Sequence, residues 1–203
     1  MLFSHLHRFP KNTRGSTAIE FALIAPIVIL LIVGTMEFAL IMYASAVLEG
    51  ATFSAARLAK TGYTNTATSG TCASPTQTRS QFITCMVQSK TSGLLNPANL
   101  TTSSKSYSGF SEIGQPEPYT DVHGLGHYVA GDPYTDINGN GQWDADMGIA
   151  GLGGPGDIVV YTVSYPWPIF TPLFNQFFGG KSTVTLSSSA VVKNEPYPAT
   201  GSR

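Results

Sequence analysis

The chain has 203 residues, 11% of them charged and 42% hydrophobic, with 11 Lys and Arg against 12 Asp and Glu for a formal net charge of −1. That length holds one modest domain with an appendage. The near-zero charge excludes a global field that would draw the chain onto nucleic acid or acidic lipid, and so low a charged fraction is unusual for a cytosolic globular protein.

Residues 1–15 read as a short basic leader. Arg8, Lys11 and Arg14 stand there without an acidic neighbour, directly before an apolar block. That arrangement keeps an N-terminus in the cytoplasm and predicts export of the residues beyond the block. Pro10 and Asn12 interrupt the leader, which lacks the apolar core of a secretory signal peptide and reads as removable. Between Glu20 and Glu37 lie 16 residues without a charge. At about 1.5 Å per residue they fall short of a ~30 Å hydrocarbon core, so the span borrows residues beyond one of the two glutamates. Pro26 removes one backbone hydrogen bond inside the span, which membrane helices tolerate.

Beyond Tyr43 the chain turns to small residues: Ala44, Ala46, Gly50, Ala51, Ala55, Ala56 and Ala59. They would let another helix or a sheet approach closely. Arg57 and Lys60 suit a last turn and Gly62 a stop, so within the segment 16–62 residues 16–61 read as one helix of roughly 69 Å, about half of it outside the bilayer.

A polar linker, Tyr63 to Thr71, leads into an exported domain over residues 63–193. Ser74 and Pro75 predict an N-cap and first turn, and Phe82, Cys85, Met86 and Leu94 one apolar helical face. Cys72 and Cys85 lie beyond the span, where an oxidising compartment predicts that they pair. From Asn99 to Gly156 only a short strand near Lys105 to Ile113 suggests itself. Asp157 to Tyr165 and Lys181 to Val192 predict two antiparallel strands joined by PWPIFTPLFNQFFGG. Residues 194–203 read as a loose tail. The fold class is α+β: a long N-terminal transmembrane helix extending out of the membrane, then a small domain with a short helix and an antiparallel hairpin or sheet.

The sequence from Arg14 to Phe21, RGSTAIEF, joins a small glycine at the leader boundary to a carboxylate five residues on. A charge near the bilayer costs about 2.5–3.5 kcal/mol even on lenient scales, so Glu20 needs a partner, and an α-ammonium freed by cleavage after Gly15 would supply one. An ordinary signal anchor whose Glu20 snorkels is the plainer account. GSTAIEFALIAPIVILL resembles the prepilin-type N-terminus of type IV pilins and of the tight-adherence pilus system. RGSTAIEFALIAP is more similar to the TadE-like family than to the major Flp-type pilin, which usually has tyrosine after the glutamate and ends soon after its membrane helix. PGDIVVYTVSYPWPIFTPL resembles the β-rich C-terminal segment of TadE-like proteins, whereas residues 63–156 carry no resemblance.

The resemblance implies Gly15 before the cut, Ser16 as the mature N-terminus and Glu20 as the fifth mature residue. It implies a minor pseudopilin, TadE-like or TadF-like, of the bacterial inner membrane. Such a protein passes the membrane once, with a cytoplasmic N-terminus and a periplasmic domain, and can enter the pilus. The implied partners are a prepilin peptidase, other pilins or pseudopilins and the inner-membrane assembly platform, with no nucleic acid and no small-molecule substrate. Glu37, about 100° around the helix from Glu20, belongs to the outer headgroup region or pairs inside an assembly.

Asp136, Asn138, Asn140, Gln142 and Asp144 alternate as in an EF-hand-type loop, with Gly141 at the sixth position and Asp146 nearby. Met147 holds the twelfth position, so any Ca2+ site would be weak, near ~10⁻⁴ to 10⁻³ M. Two Asn-Gly turns explain the same residues. A signal-anchored calcium-binding domain is therefore the alternative function. His123 and His127 have the spacing of a zinc pair, but Gly124 and Gly126 oppose the helix that would align them. No catalytic constellation is framed, and the chain is not expected to be an enzyme. Tyr161, Tyr165, Trp167, Phe170, Phe174, Phe177 and Phe178 read as core or sheet-face packing, or else as a partner patch.

Overall fold

In the computed structural model the described residues are 14–64, 67 and 69–197. The leader up to residue 13, residues 65, 66 and 68 of the linker and residues 198–203 of the tail lie outside them. One helix, α1, runs from Arg14 to Ala59 with Pro26 inside it. It begins two residues before the expected boundary and stops three short of Gly62. There the N–H groups of Thr61 and Gly62 close onto the carbonyls of Leu58 and Ala59. Gly62 takes φ +70°, and a Cβ on it would lie 2.8 Å from the Tyr197 ring, so both backbone and space require glycine.

The chain forms two compact units. The first holds α1 up to Leu40 together with residues Ile169–Ser182. In that loop Pro172–Phe178 form a 3₁₀ helix ended by Gly179 in the left-handed region, and the Ile169 N–H closes its base on the Ser182 carbonyl.

The second unit holds Ile41–Pro168 and the chain from Thr183 onward. Its sheet is antiparallel in the order β2-β1-β3-β4, with β1 Thr101–Tyr107, β2 Ile149–Ala150, β3 Ile158–Pro168 and β4 Thr183–Lys193. The alternation in β3 buries Val159, Tyr161, Val163, Tyr165 and Trp167, and β4 adds Leu186 and Ala190. Within this unit α1 buries Ala44, Leu48, Ala51, Ala55, Ala56 and Ala59, a stripe at helical spacing, while Ala46 and Gly50 stay exposed. Pro166 and Pro168 pair only with β4, beyond the end of β1, so their missing N–H groups leave no ladder bond unmade.

Helix α2, Arg79–Thr91, starts later than Ser74 and Pro75 suggest. Thr78 and Gln81 form a capping box, each side chain bonded to the other's backbone N–H, and this fixes the start. The buried face is accordingly Phe82, Ile83, Val87 and Thr91, not the face through Met86 and Leu94. Strand β1 lies earlier than expected because TTSSKSY has no apolar alternation; its pairing with β3 defines it. The expected loose tail is pinned as far as Tyr197. The Asn194 amide donates to the carbonyls of Leu152 and Gly154, Glu195 pairs with Lys60 at 3.1 Å, and Tyr197 receives the Arg79 guanidinium at 2.5 Å.

Cys72 and Cys85 form a disulfide that joins the loop before α2 to its second turn. It closes 13 residues, so replacing both cysteines by serine is expected to lower unfolding free energy by up to about 3 kcal/mol, read by chemical denaturation in detergent. An unchanged midpoint would contradict that.

Candidate functional site

Apart from its C-terminal half, α1 is uncovered among the described residues. From Thr17 it is long and apolar enough to cross a membrane, and its most apolar stretch is not buried at all. Phe21, Leu23, Ile24 and Ile29 are 71, 70, 58 and 60% exposed, around all sides of the helix. Gly15 and Ser16 stand in the first turn, where backbone N–H groups lack intrahelical acceptors and the helix frays most readily. A Cβ at Gly15 would meet nothing within 4 Å among the described residues, and its φ is not one that demands glycine. Packing among the described residues therefore does not explain that glycine. Glu20 lies one turn further on, on the exposed part of the helix.

Glu37 has bonding partners within its own unit. Its residue is only 6% exposed, and Oε1 accepts the backbone N–H of Phe170 at 2.8 Å and, more weakly, that of Thr171 at 3.5 Å. Oε2 is buried with no hydrogen-bond partner among the described residues. The carboxylate thus fastens the 169–182 loop to α1 inside the first unit.

The loop around Asp136 is a set of nested turns. Asp136 accepts the N–H groups of Gly139, Asn140 and Gly141, Asn138 that of Asn140, and Asn140 that of Gln142. The amides of Asn138 and Asn140 both donate to Asp144 Oδ2, at 2.6 and 2.5 Å. Asp136, Asn138, Asn140 and Asp144 thus come together on one turn, and Gln142 takes part through its backbone. Asp146 is taken up elsewhere. It binds Lys105 and Tyr107 of β1 at 2.8 and 2.9 Å, and burial together with that carboxylate pushes the Tyr107 hydroxyl up to about 12. Sequence reasoning missed Glu117, which is fully buried and organises the segment. Its carboxylate accepts the N–H groups of Ile137, Asn138 and Asp144, and its carbonyl accepts the Trp143 indole N–H. Trp143 stacks on Tyr128 at 4.3 Å.

His123 and His127 do not act as a pair. His123 bonds the buried Asp132 at 2.7 Å, and His127 bonds the Leu125 carbonyl at 3.1 Å. Burial alone would raise the Asp132 carboxyl, yet the Val129 N–H, His123 and the Val122 N–H outweigh it and hold the group below the ordinary carboxylate value. Among the described residues no group of three or more His, Cys, Asp or Glu side chains is placed to hold a metal ion.

Residues 15–57 match the family model described as TadE-like protein. The likeness to that family covers the N-terminal helix alone. No curated protein and no solved structure matches it. The matched segment contains Gly15, Ser16, Glu20 and Glu37 and ends two residues before α1 does. It stops short of β3, so the likeness expected near the C-terminus lies outside the match. The matched helix is compatible with a single-pass membrane anchor.

Replacing Glu117 by alanine strands three backbone N–H groups, at about 1–3 kcal/mol for each one left buried. Glu117→Ala is expected to destabilise the second unit by about 2 kcal/mol or more, and Glu117→Gln, which keeps one acceptor oxygen, by less. Denaturant unfolding, with hydrogen exchange at Ile137, Asn138 and Asp144, measures both; equal stability of the alanine variant and the parent chain would contradict the assignment.

Proposed function

We propose that this TadE-like chain is a minor pseudopilin of the tight-adherence pilus system, acting in assembly and not as an enzyme. The observation that carries the reading is the coincidence of the family match, which begins at Gly15, with a helix that from Thr17 is apolar on all sides and uncovered among the described residues. A prepilin peptidase cuts after Gly15, where a side chain on the glycine would obstruct entry to a protease site. Ser16 becomes the mature N-terminus, and its ammonium neutralises Glu20 of the same or a neighbouring chain. The helix then packs among those of other pilins or pseudopilins on the inner-membrane platform, with the second unit in the periplasm or carried on the pilus. N-terminal sequencing of the membrane-derived protein is expected to begin at Ser16. Glu20→Ala is expected to insert normally yet fail to co-isolate with pilins. Recovery of the protein with residues 1–15 attached would refute the reading.

A second reading, calcium binding by the second unit, is favoured by the meeting of Asn138 and Asn140 on one Asp144 oxygen. With the two amides turned over, their oxygens would join Asp144 and Asp136 as hard ligands for Ca2+. Millimolar calcium is then expected to raise Tm, and Asp144→Asn to abolish the rise. No shift in the parent protein removes this reading.

A further inference from the structure

The loop Ile169–Ser182 joins β3 to β4, yet it forms its compact unit with the apolar part of α1 and not with the sheet. In sequence it holds four phenylalanines and a single charge, Lys181. It is built, not slack: the Ile169 N–H meets the Ser182 carbonyl at 2.9 Å, a 3₁₀ helix fills the interior, and the Gly180 N–H meets the Asn175 carbonyl at 2.7 Å. Its aromatic residues do not all serve a core. Tyr161, Tyr165 and Trp167 of β3 are buried, whereas Phe170 is 64% and Phe178 41% exposed.

The Glu37 bond to the Phe170 N–H fixes where along α1 this loop sits. Glu37 comes 17 residues after Glu20, a rise of roughly 26 Å, so the two glutamates bracket nearly the ~30 Å of a hydrocarbon core. With Glu20 at one face of the bilayer, Glu37 and the loop bonded to it stand at the other. Aromatic rings with a lone lysine and few charges suit that headgroup level.

We propose that the loop Ile169–Ser182 is a second membrane contact, a foot that rests in the outer-leaflet interface beside the span with Phe170 and Phe178 against lipid. This rests on the reading of α1 as a membrane span. The foot makes the attachment two-point: the helix crosses the bilayer, and the hairpin loop limits how the helix tilts and turns within it. Glu37 is the positioning residue, since its carboxylate holds two backbone N–H groups of the foot that no ladder satisfies.

The test uses the full chain with its disulfide intact and one added cysteine, Phe170→Cys, Phe178→Cys or Ile29→Cys, each carrying a bimane fluorophore. Mass spectrometry checks the Cys72 to Cys85 bond in every variant. The proteins are placed in phosphatidylethanolamine and phosphatidylglycerol vesicles whose lipids carry a nitroxide either high or low on the acyl chain. The expected result is stronger quenching by the high nitroxide at both loop positions, corresponding to a depth of about 5–10 Å, and stronger quenching by the low one at Ile29. Deep quenching at Ile29 with none at either loop position overturns the foot and leaves the span standing. Loop emission that ignores the nitroxides but changes with protein-to-lipid ratio also overturns it, assigning the surface to a second copy. An unquenched Ile29 removes the span, and the foot falls with it.

Discussion

A helix that is apolar on every side has to be covered, and nothing among the described residues of this chain covers the first half of α1. That constraint organises the rest. The same helix changes character after Leu40, where a stripe of alanines and Leu48 becomes buried in the second unit. Small side chains suit a face that must pack against its own chain, and large branched ones suit a face that meets lipid or other helices. One continuous element therefore carries two kinds of surface, and the change between them lies within the matched segment rather than at its end.

Buried carboxylates hold the irregular parts together. Glu117 accepts three backbone N–H groups, Asp132 accepts two and a histidine, and Glu37 accepts two. Segments without ladder partners need acceptors when they fold against a core, and a carboxylate supplies several at once. Arg79 does the complementary work. It donates to the Ala59 carbonyl at the end of α1, to Asn194 and to Tyr197, tying the helix terminus to the chain beyond β4.

Periodicity and topology made the frame legible. The uncharged run after Glu20, the alanine-rich half-helix, the β-branched strands and the cysteine pair all have strong local signals, and each stands in the structure where the pattern puts it. What was illegible depended on distant partners. Strand β1 is a string of threonine and serine that pairs because β3 offers an edge. The burial of Glu37 needs a loop more than a hundred residues away in the chain, and the grip of Glu117 needs the turn after Asp136. The start of α2 was readable, since Thr78 and Gln81 are a capping-box spacing, but Pro75 offered a competing signal. Of the candidate site, Gly15 and Glu20 came from motif and resemblance, and their roles depend on partners outside the chain.

If α1 crosses a bilayer between its two glutamates, it leaves the membrane before the alanine stripe begins. Cysteine scanning along residues 17–59 in sealed inner-membrane vesicles, with a membrane-impermeant maleimide added to one side at a time, tests this most directly. A continuous protected window between Glu20 and Glu37 that neither side labels is predicted, with exposed positions after Leu40 labelled from one side only. Labelling inside that window every three or four residues would show a helix lying on an aqueous surface, and would contradict the crossing.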